Sequence, residues 1–143
     1  MCSSAAWPGP PKTAGIDTIV CDHHVPDDVL PETFAMLNPK RKDCHYPFSE
    51  LSGCGVALKL LQALRGRLGL TPDDILDELD LVAISIGADL VDVVGENRVL
   101  AYHGMHRLTQ VQRPGIRAML RAAAIHQAPR TLRDISFTLG PRI

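Results

Sequence analysis

The stretch GIDTIVCDHHV, residues 15–25, places an acid and two histidines directly after a short apolar run. Residues 16–21 predict a buried β-strand, and Asp22, His23 and His24 then lie where that strand ends. In open parallel sheets, ligands bind beyond the carboxyl ends of the strands, because loops held by rigid strands converge there. The stretch therefore predicts a parallel sheet with a functional site at one edge.

The elements that follow complete an α/β pattern. A second apolar run, residues 34–37, ends before Pro39 and predicts a second strand. From Gly53 onward, apolar residues recur at helical spacing, and Gly66 and Gly69 are candidate helix ends. The predicted fold is α/β, with a parallel sheet flanked by helices and a helix-rich C-terminal half.

The C-terminal half is predicted to be helical throughout. Thr71 is a good N-cap, and the proline and two acids after it are typical of a first helical turn. Apolar residues on both faces predict that this helix is buried on most sides and continues to residue 86. Similar patterns predict further helices at residues 96–108, at residues 114–125 and after Thr131.

Asp89 follows the helix that Thr71 begins. A carboxylate at a helix C-terminus opposes the helix dipole by ~0.3–1 kcal/mol, and a metal cation would offset that cost. The alternative is that Asp89 is an N-cap for the next turn.

Asp22, His23 and His24 have the donor atoms of a metal site. Neutral imidazole suits Mn, Zn, Fe or Co, and an adjacent carboxylate fixes a tautomer or adds a hard oxygen ligand. Adjacent histidines on an extended strand point to opposite faces, so one metal ligand and one substrate contact are expected unless the backbone turns. The alternative is three satisfied polar residues at a strand end.

The formal net charge is -1, but charge is unevenly distributed. Residues 71–96 carry eight acids and no Lys or Arg, whereas residues 99–143 carry seven arginines and a single acid. A basic C-terminal third fits a polyanion partner. The alternative is that Arg113, Arg117 and Arg121, spaced four apart, form a solvated helix face.

Length and composition predict one cytoplasmic domain. A chain of 143 residues holds a single core, and no apolar run of ~18 residues predicts a membrane span. Residues 1–14 lack the pattern of a signal peptide and predict an irregular segment. The cysteines form no CxxC pattern, and Cys21 and Cys54 are expected to pack as small apolar side chains in a reducing compartment.

Two weaker candidates lie outside this site. His103 and His106 are three residues apart but lack a third partner, so surface histidines are favoured over a metal site. The run Gly53-Cys54-Gly55 precedes a helix; close backbone packing is favoured there over a phosphate cradle.

A set of longer segments carries a family resemblance. In chain order they are GIDTIVCDHHVPDDVLP, LNPKRKDCHYPFSELSGCGVALKL, LDLVAISIGAD, GENRVLAYHGMHRL and ISFTLGPRI. In order and spacing they resemble the DHH phosphoesterase superfamily and, within it, the RecJ family of exonucleases. The resemblance identifies residues 15–143 as a partial DHH-type domain.

The resemblance implies a catalytic site made of Asp22, His23, His24 and Asp89. In it, His23 and Asp89 ligate a divalent metal, Mn²⁺ or Mg²⁺, Asp22 supports or joins the ligand shell, and His24 contacts the scissile phosphate. The implied reaction is hydrolysis of single-stranded DNA from its 5′ end, in DNA repair and recombination, by a two-metal site.

The sequence departs from the family pattern in one respect. An Asp-x-Asp motif and a further single aspartate supply the other metal ligands in the family, and no acid precedes Gly15 here. We therefore expect a fragment that is inactive or nearly so alone, with an aggregation-prone open sheet edge. The alternatives are a non-catalytic module that binds single-stranded nucleic acid or a partner, or another DHH phosphoesterase such as an oligoribonuclease.

Overall fold

The computed structural model describes residues 15–110, 113–123, 129 and 131–143. The segment predicted to be irregular, residues 1–14, lies outside them, as does the C-terminal end of the helix predicted at residues 114–125. The described chain has two short strands followed by helices. This confirms the predicted α/β fold with a helix-rich C-terminal half.

The described sheet consists of two parallel strands, β1 (Ile19–Cys21) and β2 (Ala35–Leu37). Cys21 lies opposite Leu37 in the register, so the carboxyl ends of both strands lie at the same end of the sheet. The residues that follow the two strands therefore start from neighbouring positions, as the sequence predicts.

β1 is shorter and more exposed than the sequence predicts. The apolar run predicts a buried strand over residues 16–21, but pairing begins at Ile19, which is 48% exposed, and Ile16 is 65% exposed. A strand is buried only when both of its faces and edges are covered. Among the described residues, β1 pairs along one edge alone.

The first helix, α1 (Gly53–Leu68), begins at the predicted residue and ends before one of the two candidate glycines. Ser52 Oγ accepts the amide N–H of Gly55 at 3.3 Å. Gly69 ends the helix with φ 69°, a left-handed conformation that glycine adopts without strain. Gly66, the other candidate end, lies inside the helix.

The helix predicted after Thr71 is in fact two helices, α2 (Pro72–Asp77) and α3 (Leu79–Ala88). Thr71 and Asp74 form a capping box at the start of α2, as the start signal predicts. The prediction of one continuous helix is wrong at Glu78, where the chain makes a tighter turn.

Arg113 explains this break. In a continuous helix, the carbonyl of Asp77 would accept the amide N–H of Leu81. Here Arg113 Nη2 donates to that carbonyl at 3.0 Å, and the Leu81 amide donates to Asp80 Oδ1 at 2.7 Å. Arg113 Nε also donates to both carboxylate oxygens of Asp80, and Nη2 lies 3.0 Å from Glu78 Oε2.

Arg113 is thus a tertiary clamp between this break and the next helices, which corrects the prediction that it lies on a solvated face. Arg117 and Arg121, by contrast, are exposed. The remaining helical segments are α4 (Gly95–Leu108), α5 (Pro114–Ala122), α6 (Leu132–Asp134), a π-helix (Ile135–Leu139) and a 3₁₀ turn (Gly140–Arg142).

α3 lies at the centre of the fold, as its apolar faces predict. Its residues belong to two apolar clusters, one shared with α1, α2 and α4 and the other with α4, α5 and the π-helix. Gly104 of α4 lies so close to α3 that an added Cβ would overlap the carbonyl of Leu79 and approach Ala83. Because it is packed in this way, α3 holds its C-terminal end, where Asp89 lies, in a fixed position.

No described helix is long and apolar enough to cross a membrane.

Candidate functional site

Asp22 turns the chain away from β1. Its backbone N–H donates to the carbonyl of Leu37 at 2.9 Å, so it is still held by the sheet. Its Oδ1 accepts the backbone N–H of His23 at 2.7 Å and that of His24 at 3.2 Å, a local turn that aspartate favours. The ring Nδ1 of His24 lies 2.8 Å from the same oxygen, and it is the donor because an ionised carboxylate only accepts.

The two histidine rings lie side by side because of this turn. Their centroids are 4.4 Å apart with the planes tilted by 49°. An extended strand would have placed them on opposite faces. The side chain of His23 is 14% exposed and that of His24 is 71% exposed. His23 is therefore enclosed within the site, whereas His24 faces solvent.

Asp89 is the C-cap of α3, as predicted, and its amide N–H donates to the carbonyl of Ser85 at 3.0 Å. The alternative, an N-cap for the next turn, is not adopted, since α4 has Val94 as its N-cap. Asp89 Oδ2 lies 3.7 Å from His23 Nε2. The fold thus brings the end of β1 and the end of α3 together at these two side chains.

Ser85 connects Asp89 to the start of α1. Its hydroxyl donates to Asp89 Oδ2 at 3.3 Å and accepts the backbone N–H of Cys54 at 3.4 Å. An added Cβ at Gly53 would lie 3.5 Å from His23 Cδ2, so the start of α1 packs against the His23 ring.

These contacts favour close packing over a phosphate cradle at Gly53-Cys54-Gly55. The backbone N–H groups of Cys54 and Gly55 already donate to the hydroxyls of Ser85 and Ser52. The prediction that Cys54 packs as an apolar side chain is wrong, because the first helical turn leaves it exposed, whereas Cys21 is half-buried against the core.

Two titratable groups of the turn, Asp22 and His23, have shifted pKa values. Burial alone would raise the pKa of Asp22, but hydrogen bonds from the His24 ring and from the His24 and His23 amides lower it below its ordinary value. Burial, with the neighbouring His24, lowers the pKa of His23, and the carboxylates of Asp89 and Asp22 oppose that shift only in part. Asp22 is therefore ionised and His23 neutral at pH 7, which are the forms that act as metal ligands.

The donor atoms of His23 and Asp89 fit two positions around one divalent ion. Ligand atoms about 2.0–2.2 Å from a metal are about 3–4 Å from one another, and Nε2 and Oδ2 are 3.7 Å apart. No group of three or more His, Cys, Asp or Glu side chains among the described residues is placed to hold a metal. Asp22 in particular directs Oδ1 to His24.

Sequence reasoning did not name two polar side chains that contact the predicted site residues. Asn38 donates from Nδ2 to the carbonyl of His24 at 2.9 Å, and Ser85 contacts Asp89. The signal for Asn38 was its position after β2, opposite Asp22. His103 and His106 are both exposed on α4, as predicted.

A cavity of about 320 Å³ lies beside β2, and the four predicted site residues do not line it. Its walls include apolar Leu51 and Val56 together with the charged side chains of Arg41 and Lys59. Arg41 is paired with Asp43, and Lys59 with Glu96. The predicted site is accordingly a group of side chains that lies outside this cavity.

Comparison with known proteins places these residues in a family. The N-terminal domain of the DHH family matches residues 3–86, more than half of the chain. The chain belongs to the DHH family. The predicted resemblance is thus confirmed, and the match includes the Asp22-His23-His24 turn.

Several relatives within the DHH family are single-stranded-DNA-specific exonucleases named RecJ. The chain is 38% identical to the RecJ of Salmonella typhimurium over 99% of its own length, and 40% identical to that of Bacillus subtilis over 92%. It covers only 26% and 16% of those two proteins. The chain therefore spans between about a sixth and a quarter of these relatives.

A solved structure has the same fold over most of this chain. The crystal structure of exonuclease RecJ bound to manganese superposes on 90% of this chain with a TM-score of 0.72 and 32% sequence identity. The chain covers 31% of that protein. Fold and sequence thus agree over nearly the whole of this chain.

Proposed function

We propose that this chain is part of a metal-dependent exonuclease that hydrolyses single-stranded DNA from its 5′ end, in DNA repair and recombination. The proposal rests on one observation: His23 Nε2 and Asp89 Oδ2 lie 3.7 Å apart at the carboxyl end of β1. The similarity to RecJ exonucleases over most of the chain supports the choice of substrate.

Each of the four site residues has a separate role in this proposal. His23 and Asp89 hold a divalent ion, because a neutral imidazole and a carboxylate are a suitable donor pair for Mn²⁺. Asp22 holds Nδ1 of His24 and with it the direction of that ring. His24 is left with Nε2 facing solvent, where it contacts the scissile phosphate.

The metal is Mn²⁺ or Mg²⁺ in this proposal, and it would activate a water and stabilise the departing oxygen. Two protein donors leave an ion mostly hydrated, so we propose that these 143 residues alone are inactive or nearly so. Residues 15–143 then form part of a DHH phosphoesterase domain that acts in the cytoplasm.

Calorimetry with Mn²⁺ tests the proposal on the whole 143-residue chain. The wild type is compared with His23→Ala and Asp89→Ala, and a labelled single-stranded DNA degradation assay is run in parallel. The matched control is His103→Ala, which removes an exposed histidine on α4. We expect weak binding that both site variants abolish and the control retains, without DNA degradation.

Three results would contradict the proposal. One is a wild type that does not bind Mn²⁺. Another is binding that survives both site substitutions, and the third is equal loss in His103→Ala. Degradation of DNA that depends on His23 and Asp89 would contradict only the proposed inactivity of the isolated chain.

A further inference from the structure

Pro39 explains why the sheet ends at Leu37, next to the predicted site. The backbone N–H of Asp22 donates to Leu37 O at 2.9 Å. In a parallel ladder, the next hydrogen bond would run from the N–H of residue 39 to the carbonyl of Asp22. Proline has no N–H, so the ladder stops there.

The Asn38 side chain supplies a donor at this point, to the carbonyl of His24, two residues beyond Asp22. Its Nδ2 donates to the carbonyl of His24 at 2.9 Å, and its Oδ1 accepts the backbone N–H of Lys40 at 2.9 Å. Asn38 is only 3% exposed. Because the amide is buried and bonded at both of its ends, its rotamer is fixed.

Two side chains therefore hold the turn from opposite sides. Asp22 accepts the N–H groups on the near side, and Asn38 donates to the carbonyl at its far end. Together, the side chains of Asp22 and Asn38 set the direction in which the chain leaves β1. That direction places the imidazoles 4.4 Å apart and His23 Nε2 within 3.7 Å of Asp89.

We infer that Asn38 is a positioning residue of this site: it fixes the His24 carbonyl and through it both imidazoles. The inference rests on the proposed function for its consequence in metal binding. Its structural part concerns this chain alone and is measurable without metal.

Two substitutions at Asn38 separate its contacts. Asn38→Asp keeps the volume of the side chain and the acceptor for Lys40, but it replaces the donor to His24 with an oxygen that repels the carbonyl. Asn38→Ala removes both contacts. Arg113→Met is the control, because it removes a buried contact at the α2–α3 break and leaves the turn unchanged.

The first measurement is ¹⁵N NMR of the imidazole nitrogens in metal-free protein. We expect the His24 signals to move in both Asn38 variants, toward those of an exposed histidine without a fixed tautomer, and to stay in place in Arg113→Met. The second is Mn²⁺ affinity, which we expect to fall about 10-fold in both variants. This is the lower end of the loss seen when a direct partner of a metal ligand is removed, because Asn38 acts on His23 only through the backbone of His24.

Unchanged imidazole signals and unchanged affinity in both Asn38 variants would overturn the inference, even if His23→Ala abolishes binding. Loss of the whole fold in both variants, seen by circular dichroism, would also overturn it, because Asn38 would then hold the domain and not the site. If the wild type does not bind Mn²⁺, the proposed function fails, and the NMR comparison still decides the role of Asn38.

Discussion

Replacing Arg113 with methionine removes the clamp at the break between α2 and α3. The carboxylate of Asp80 is buried, at 6% exposed, and receives Arg113 Nε at 2.8 and 3.1 Å. Methionine keeps much of the apolar stem of arginine and loses its charge. The substitution therefore leaves a buried carboxylate without its counter-ion.

The expected loss follows from what remains around Asp80. Removing one partner of a buried ion pair typically costs about 3–5 kcal/mol. The Leu81 amide still donates to Asp80 Oδ1 at 2.7 Å, and the Arg113 side chain is 35% exposed, so water screens part of the interaction. We therefore expect the free energy of unfolding to fall by about 2–3 kcal/mol.

Urea denaturation followed by circular dichroism measures this loss. Arg117→Met is the matched control, since Arg117 is exposed on α5, four residues after Arg113, and its effect should stay within about 0.5 kcal/mol. Combining Arg113→Met with Asp80→Leu removes both charges and should be less destabilising than Arg113→Met alone. A loss below about 0.5 kcal/mol for Arg113→Met, or additive effects in the double variant, would refute the reasoning.

Two further predictions concern packing and pH. Gly104→Ala places a methyl group against Leu79 O and Ala83 and should lower the free energy of unfolding by about 1–3 kcal/mol; wild-type stability in urea would contradict the close helix contact. The pKa of Asp22 lies below its ordinary 3.8, so its ionised form stabilises the fold above that pH, and this contribution is lost as pH falls through the lower folded-state value. In acid titrations of unfolding, Asp22→Asn should therefore flatten the fall in stability below pH 3.8. The exposed control Asp17→Asn should not. Equal stability curves for Asp22→Asn and the wild type would exclude the role assigned to Asp22.

Local signals predicted most of the helices. The capping boxes at Thr71 and Thr131 and the left-handed Gly69 lie where the sequence indicated them, because a cap depends on side chains within three or four residues. The family and the α/β class were likewise accessible, since several ordered motifs carry them.

The break at Glu78 could not be predicted in this way. The apolar period continues across it, and its cause is Arg113, which is more than thirty positions further along the chain. The exposure of Ile19 was missed for a related reason. An apolar run reports the preference of its own side chains, not how many neighbours cover them.

The candidate site shows the same limit. Asp22, His23, His24 and Asp89 were named from motifs, but the approach of His23 to Asp89 depends on packing between β1, α1 and α3. Asn38 went unnoticed because its position after β2 does not by itself reveal that its side chain donates to the backbone carbonyl of His24.

One side chain at the far edge of β2 decides how this sheet can grow. Arg41 Nη1 donates to Met36 O at 2.9 Å, the carbonyl that an incoming strand would use on that side. Arg41 thereby hinders strand addition at the β2 edge, and among the described residues the β1 edge is the one left unpaired. A sheet with two open edges propagates through many copies into a fibre, whereas a sheet with one blocked edge ends after a single addition.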